Sequence, residues 1–107
     1  MDLKSKKCKP CEGGTKPMNS KEAKSHLKFA KGWALEKNEI SANMKFKDFK
    51  GSIAFVGKVA KIAEQEGHHP DISIHDWNQV RLTLSTHAIG GLSINDFIVA
   101  AKINALN

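Results

Sequence analysis

Residues 48–70 read DFKGSIAFVGKVAKIAEQEGHHP, a stretch with a start signal, a repeat and a stop signal. Asp48 has the short acceptor side chain that caps a helix N-terminus. Phe49, Ile53, Val56, Ala60 and Ala63 recur at helical spacing, and Phe55, Val59 and Ile62 form a second stripe beside them. Gly67 and Pro70 then end the helix in quick succession, because glycine accepts the left-handed cap and proline pushes the residue before it toward extended geometry. The apolar arc is wider than a single sheet contact requires. Two readings stay open: a deep core helix, or a helix that also carries a subunit interface.

On the C-terminal side, two strands are expected near residues 71–77 and 79–87. In the second, Val80, Leu82 and Leu84 point one way while Arg81, Thr83, Ser85 and His87 point the other. Ala88-Ile89-Gly90-Gly91 reads as a turn, and Ser93 caps a last helix whose face is Ile94, Phe97, Ile98, Ala101 and Ala105. On the N-terminal side, Ile40, Ala42, Met44 and Phe46 alternate with Ser41, Asn43, Lys45 and Lys47, as in a strand with one wet face. Trp33-Ala34-Leu35 opens a further strand before the turn at Glu36-Lys37-Asn38-Glu39. A first helix starts at Asn19 or Ser20, where Asn19 and Glu22 make a capping box, and Gly32 is its stop. The order α-β-β-α-β-β-α, with hairpin-length connections, predicts an α+β fold: an antiparallel sheet covered by helices on one face. Residues 19–107 form the domain. Residues 1–18, with both cysteines, two of the three prolines and Gly13-Gly14, read as a flexible N-terminal arm.

Composition narrows the function classes. A chain of 107 residues, 40% hydrophobic and 26% charged, is of ordinary globular type and has room for one small core. No apolar run approaches the roughly 20 residues that span a bilayer, and the basic N-terminus lacks the apolar core of a secretory signal. A cytoplasmic location with no membrane partner is expected. The net charge of +6 is uneven: residues 1–50 hold 13 Lys against 6 acids. With a single Arg and no nucleic-acid motif, this reads as a solvated face, and nucleic acid is not the expected partner. Cys8-Lys9-Pro10-Cys11 has no second pair to complete a structural zinc site, and reduced thiols are expected.

Four of the five histidines, His68, His69, His75 and His87, fall within residues 68–87. Imidazole both donates and accepts protons near neutral pH, which is what acid/base catalysis asks of a side chain. Glu64 lies four residues before His68 on the expected helix and shares its face. Asp96, three after Ser93, doubles as a capping-box partner. His75 has only strand alternation behind it and reads as solvated.

Taken together, Glu64-x3-His68-His69-Pro70, Trp77, His87 and Asp96 resemble the signature of the pterin-4a-carbinolamine dehydratases. The segments Arg81–His87, Gly90-Gly91-Leu92-Ser93 and Phe46-Lys47-Asp48-Phe49, together with Trp33, are similar to that family as well, as is the lead from Cys8 to Gly14. The resemblance covers residues 19–107. It implies a four-stranded antiparallel sheet with three helices on one side, assembled as a homodimer or homotetramer. The implied substrate is a 4a-hydroxy-tetrahydropterin and the product a quinonoid dihydropterin, with no cofactor and no metal. His68, His69 and His87 become the catalytic residues, one imidazolium protonating the departing hydroxyl while another imidazole takes a ring proton. Glu64 would orient His68; Asp96 would place the pterin or fix the last helix; Pro70, Trp77 and Trp33 complete the substrate-binding set.

Two other classes compete. A metal hydrolase is one: Glu64, His68, His69 and His87 include zinc-ligand types, although His69-Pro70 directly after His68 makes a shared three-ligand geometry awkward. A non-enzymatic binding module is the other, since animal members of the family also serve as dimerisation cofactors for a homeodomain transcription factor.

Overall fold

A computed structural model describes residues 3–9 and 16–106. Four strands, β1 (Ala34–Glu36), β2 (Glu39–Lys45), β3 (Asp71–His75) and β4 (Gln79–Leu84), form one antiparallel sheet in the order β1-β2-β4-β3. Helices α1 (Ser20–His26), α2 (Phe49–Glu66) and α3 (Ile94–Asn104) accompany it, giving the expected α+β architecture. The two central strands pair Ile40 with Leu84, Ala42 with Leu82 and Met44 with Val80. That register puts their apolar side chains on one face, where Val80, Leu82, Leu84 and Ile40 are fully buried.

The helix boundaries follow the capping chemistry. The Asn19 carboxamide accepts from the Glu22 amide, and the Glu22 carboxylate accepts from the Asn19 amide, closing a capping box on α1. α1 is short, and the chain tightens into a 3-10 turn at Leu27–Phe29 before Gly32. Asp48 caps α2 by accepting from the Gly51 amide at 2.7 Å. Gly67, at φ 63°, closes α2 in the left-handed region, and its amide donates to the Ala63 carbonyl.

The structure sorts the two stripes of α2. Phe55, Val59 and Ala63 face the core, whereas Phe49 is 53% exposed and Ile53 48% exposed. A helix buried on both stripes is therefore not what forms. α3 departs the other way. Phe97, Ile98, Val99, Ala100 and Ile103 are all buried, because residues 3–5 cover the side of the helix that a simple sheet contact would leave wet. Ile94 and Ala105, expected on its core face, are exposed at its ends.

Residues 3–9 do not form an arm outside the core. Leu3 is buried among the core side chains, and Cys8 packs against them. Cys11 lies outside the described residues, so the Cys8-x-x-Cys11 pair is described only at its first member. Close by, Met18 donates its amide to the Leu92 carbonyl at 2.8 Å, and Pro17 lies so near Gly91 that a Cβ there would meet the Pro17 ring at 2.7 Å. Gly91 is thus a position where only the absence of a side chain permits the approach.

Candidate active site

Three segments meet at one end of the sheet. The first is the end of α2, where the Gly67 cap turns the chain so that His68, His69 and Pro70 lead directly into β3. The second follows β4, which ends at Leu84 and not at His87 as the strand alternation suggests. After it, Thr86 pairs with Gly91, and His87–Ile89 form a 3-10 turn closed by Gly90 at φ 67°. The third is the start of α3. Between them lies a cavity of about 500 Å³ lined by His68, His69 and His87, with Pro70, Ser85, Thr86 and Asn95 among its walls.

His68 is the most constrained of the three. Its Nε2 donates to Asp96 Oδ1 at 2.6 Å, with the imidazole 13% exposed and the carboxylate completely buried. Asp96 Oδ2 accepts from the Thr86 hydroxyl at 2.8 Å and from the Ser93 amide at 3.0 Å. Because Thr86 donates to Asp96, the Ser93 hydroxyl donates to Thr86 Oγ at 2.8 Å and itself accepts from the Asn95 amide at 3.2 Å. The bonds run in one direction and end on the carboxylate, an arrangement in which each polarises the next. Asp96 therefore serves two structural duties: it is the N3 member of the α3 capping box and the anchor of His68. A carboxylate accepts only, so the neutral His68 ring carries its proton on Nε2 and its lone pair on Nδ1.

Glu64 does not orient His68. Its Oε2 accepts from His69 Nε2 at 3.1 Å, at a position where both side chains are largely exposed. The four-residue spacing fails because Gly67 leaves helical geometry before His68 is reached, swinging His69 back over the last turn. An exposed pair of this kind contributes about 0–1 kcal/mol. His87 is exposed at the cavity, and no hydrogen bond fixes its ring among the described residues.

The remaining candidates lie elsewhere. The Trp33 indole is buried and donates to Asn104 Oδ1 at 3.0 Å, tying β1's entrance to the end of α3. Trp77 is 59% exposed at the tip of the β3–β4 hairpin, where Asp76 and Trp77 both take positive φ. Its carbonyl accepts from the Ser52 hydroxyl of α2 at 2.9 Å. Neither tryptophan lines the cavity. His75 is exposed beside Asp76. Sequence reasoning passed over Thr86, which by alternation falls on the same side as Leu84, and Cys8 and Lys9, which also line the cavity. Thr86 and Ser93 bracket the turn they close, and that spacing was the signal available. Among the described residues, no group of three His, Cys, Asp or Glu side chains is placed to hold a metal ion. No helix there is long and apolar enough to cross a membrane.

Fold and cavity together define a small α+β protein with a histidine-lined cavity at one end of its sheet. The model of the family "Pterin 4 alpha carbinolamine dehydratase" matches residues 16–106, and the chain belongs to that family. A Nitrosomonas eutropha protein provisionally named as a pterin-4-alpha-carbinolamine dehydratase is 50% identical over 106 residues, covering 98% of this chain and 93% of its own length. The mitochondrial pterin-4-alpha-carbinolamine dehydratase 2 of Arabidopsis thaliana is 43% identical over 110 residues, covering 98% of this chain and 59% of its own. Among solved structures, a transcriptional coactivator/pterin dehydratase from Brucella melitensis superposes with a TM-score of 0.77 at 32% identity, over 84% of this chain and 97% of that one. A pterin dehydratase-like protein described as a RuBisCO assembly factor in the alpha-carboxysome shares the fold, with a TM-score of 0.60 at 23% identity over 73% of this chain and 92% of its own.

Proposed function

We propose that this chain dehydrates a 4a-hydroxy-tetrahydropterin to the quinonoid dihydropterin by histidine acid/base catalysis, as a step in recycling a pterin cofactor. The observation that carries the reading is the meeting of three imidazoles on one cavity, with one ring locked in a single tautomer by a buried carboxylate. The reaction breaks the bond between carbon 4a and its hydroxyl oxygen. That oxygen leaves as water only if it receives a proton, and the neighbouring ring nitrogen must lose one to form the new double bond. One proton enters and one departs, so an acid and a base close the balance with no redox partner.

The geometry suits His68 to hold a proton-accepting Nδ1 toward the ligand, because Asp96 occupies Nε2 and stabilises the ring as it becomes imidazolium. His87, whose ring is free to turn at the cavity, is suited to meet the hydroxyl. His69 and the buried Pro70 shape the wall between them. The assay is the dehydration of freshly generated carbinolamine, followed spectrophotometrically against the spontaneous rate. His87→Ala is expected to lower kcat by about 10²-fold or more. Wild-type turnover in that variant refutes the assignment. Stoichiometric zinc in protein purified without a metal-affinity tag, with activity lost to a chelator, replaces it by metal chemistry.

The working form is proposed to be a homodimer or homotetramer, with the cytoplasm as its place of action. Phe49 and Ile53 project from the outer stripe of α2, the hydrophobic surface that association would cover.

A further inference from the structure

The cavity has a wall that the proposed chemistry leaves unused. Residues 3–9 cross the outside of α3 and deliver Cys8 and Lys9 to the cavity rim. A segment outside the sheet and the long helices frays unless something ties it down. Here Leu3 is buried at one end, and the Lys102 ammonium donates to the Lys4 carbonyl at 2.8 Å. At the other end, Glu66, only 7% exposed, accepts the Cys8 amide on Oε1 at 2.8 Å, while its Oε2 lies 3.6 Å from Lys102. The buried Asn95 side chain accepts the Lys9 amide at 3.1 Å and donates to the Lys9 carbonyl.

A segment needed only to complete the core would be served by Leu3 alone. Glu66 and Asn95 instead hold the backbone of the two residues that line the cavity. Both side chains neighbour the His68–Asp96 hydrogen-bonded pair in sequence: Glu66 two residues before His68, Asn95 next to Asp96. The thiol of Cys8 lies 3.6 Å from the Asn95 carbonyl oxygen. Burial first, and then the Glu66 carboxylate, push that thiol up to about 12, so the wall shows the cavity an uncharged S–H.

We propose that Cys8 and Lys9, at the end of the 3–9 segment, are a substrate-contacting wall of the histidine cavity and that Glu66 is the positioning residue that latches this wall in place. The inference rests on the dehydratase reading for the identity of the ligand. Its effect falls on binding, because the latch holds the wall and none of the proton-carrying nitrogens.

The test uses the full chain carrying Cys11→Ser, so that Cys8 is the single thiol, with two readouts: the iodoacetamide labelling rate of Cys8 and the affinity for 7,8-dihydrobiopterin as a non-reacting probe. Glu66→Ala is expected to speed labelling about tenfold and to raise both the probe Kd and the carbinolamine KM about tenfold, with kcat within about twofold of the parent; the scale is that of one charge-assisted hydrogen bond. Glu66→Gln keeps an acceptor for the Cys8 amide and is expected to restore most of the loss. The probe is expected to slow labelling in the parent protein. Faster labelling with unmoved affinity would make the segment a structural brace and overturn the proposal. Unchanged labelling in Glu66→Ala, or a parent protein that binds no probe, overturns it too. A parent protein that binds the probe and shows the labelling pattern but dehydrates nothing leaves the wall standing and removes the dehydratase reading.

Discussion

Asp96→Asn is the substitution that asks most of the proposed site. The carboxylate accepts three hydrogen bonds from a fully buried position, two on Oδ2 and one from His68 on Oδ1. An asparagine of the same shape keeps its oxygen toward Thr86 and the Ser93 amide, and so retains the capping box. Its NH₂ group then faces His68 Nε2, donor against donor. The ring relieves this by moving its proton to Nδ1, which takes the lone pair away from the cavity. Losing a general base is worth about 10²–10⁴-fold in rate, or about 3–5 kcal/mol of barrier. Exchanging a charge-assisted bond for a neutral one costs about 1–2 kcal/mol of stability. For a chain of this size that lowers Tm by about 4–8 °C per kcal/mol, so the variant stays folded at 25 °C. Steady-state dehydration kinetics, a thermal melt and probe affinity are measured on the same preparation. A kcat within threefold of wild type, alongside the lowered Tm that reports the lost charge, would refute the tautomer argument.

Two other outcomes are expected. Ile53→Glu, which puts a charge on the exposed stripe of α2, is expected to shift the assembly toward the monomer in light scattering with the circular dichroism spectrum unchanged; an unshifted mass places the subunit contact elsewhere. The Cys8 thiol, raised from 9.0 to about 12, is expected to alkylate at pH 8 up to about 10³-fold more slowly than an unhindered cysteine, measured in the Cys11→Ser background. The folded state holds the extra proton. Stability from this group is therefore complete below pH 9 and lost as pH rises through about 12, and a thiol titration near 9 refutes the burial argument.

The parts of the fold legible in the sequence were those governed by local chemistry. Asp48, Gly67 and Pro70 delimited α2 because caps and breakers act on their own backbone, and β4 was legible because Val80, Leu82 and Leu84 alternate on a single buried face. The errors came where distant segments decide. Leu3 stands alone among lysines, and nothing nearby in the chain says that α3 waits to receive it. Glu64 and His68 satisfied the helical spacing, but the left-handed Gly67 lies between them and hands the carboxylate to His69. Of the signature residues, His68, His69, Pro70 and His87 line one cavity, whereas Trp33 and Trp77 do not. The signature left open that Asp96 would grip His68 from behind, a contact between residues 28 apart that depends on how α3 packs.

The pairing of Asp71 with Thr83 has a consequence for how the site comes into being. His69 precedes β3 and His87 follows β4, so the two imidazoles emerge from the open end of one hairpin and are spaced by its ladder. Sliding β3 by a single residue against β4 would exchange the faces of Ile72 and Ile74 with those of their hydrophilic neighbours and carry His69 out of step with His87. The pairing that aligns β3 with β4 therefore also sets the spacing of these two imidazoles: a chain that has zipped correctly has already brought His69 and His87 to the same cavity.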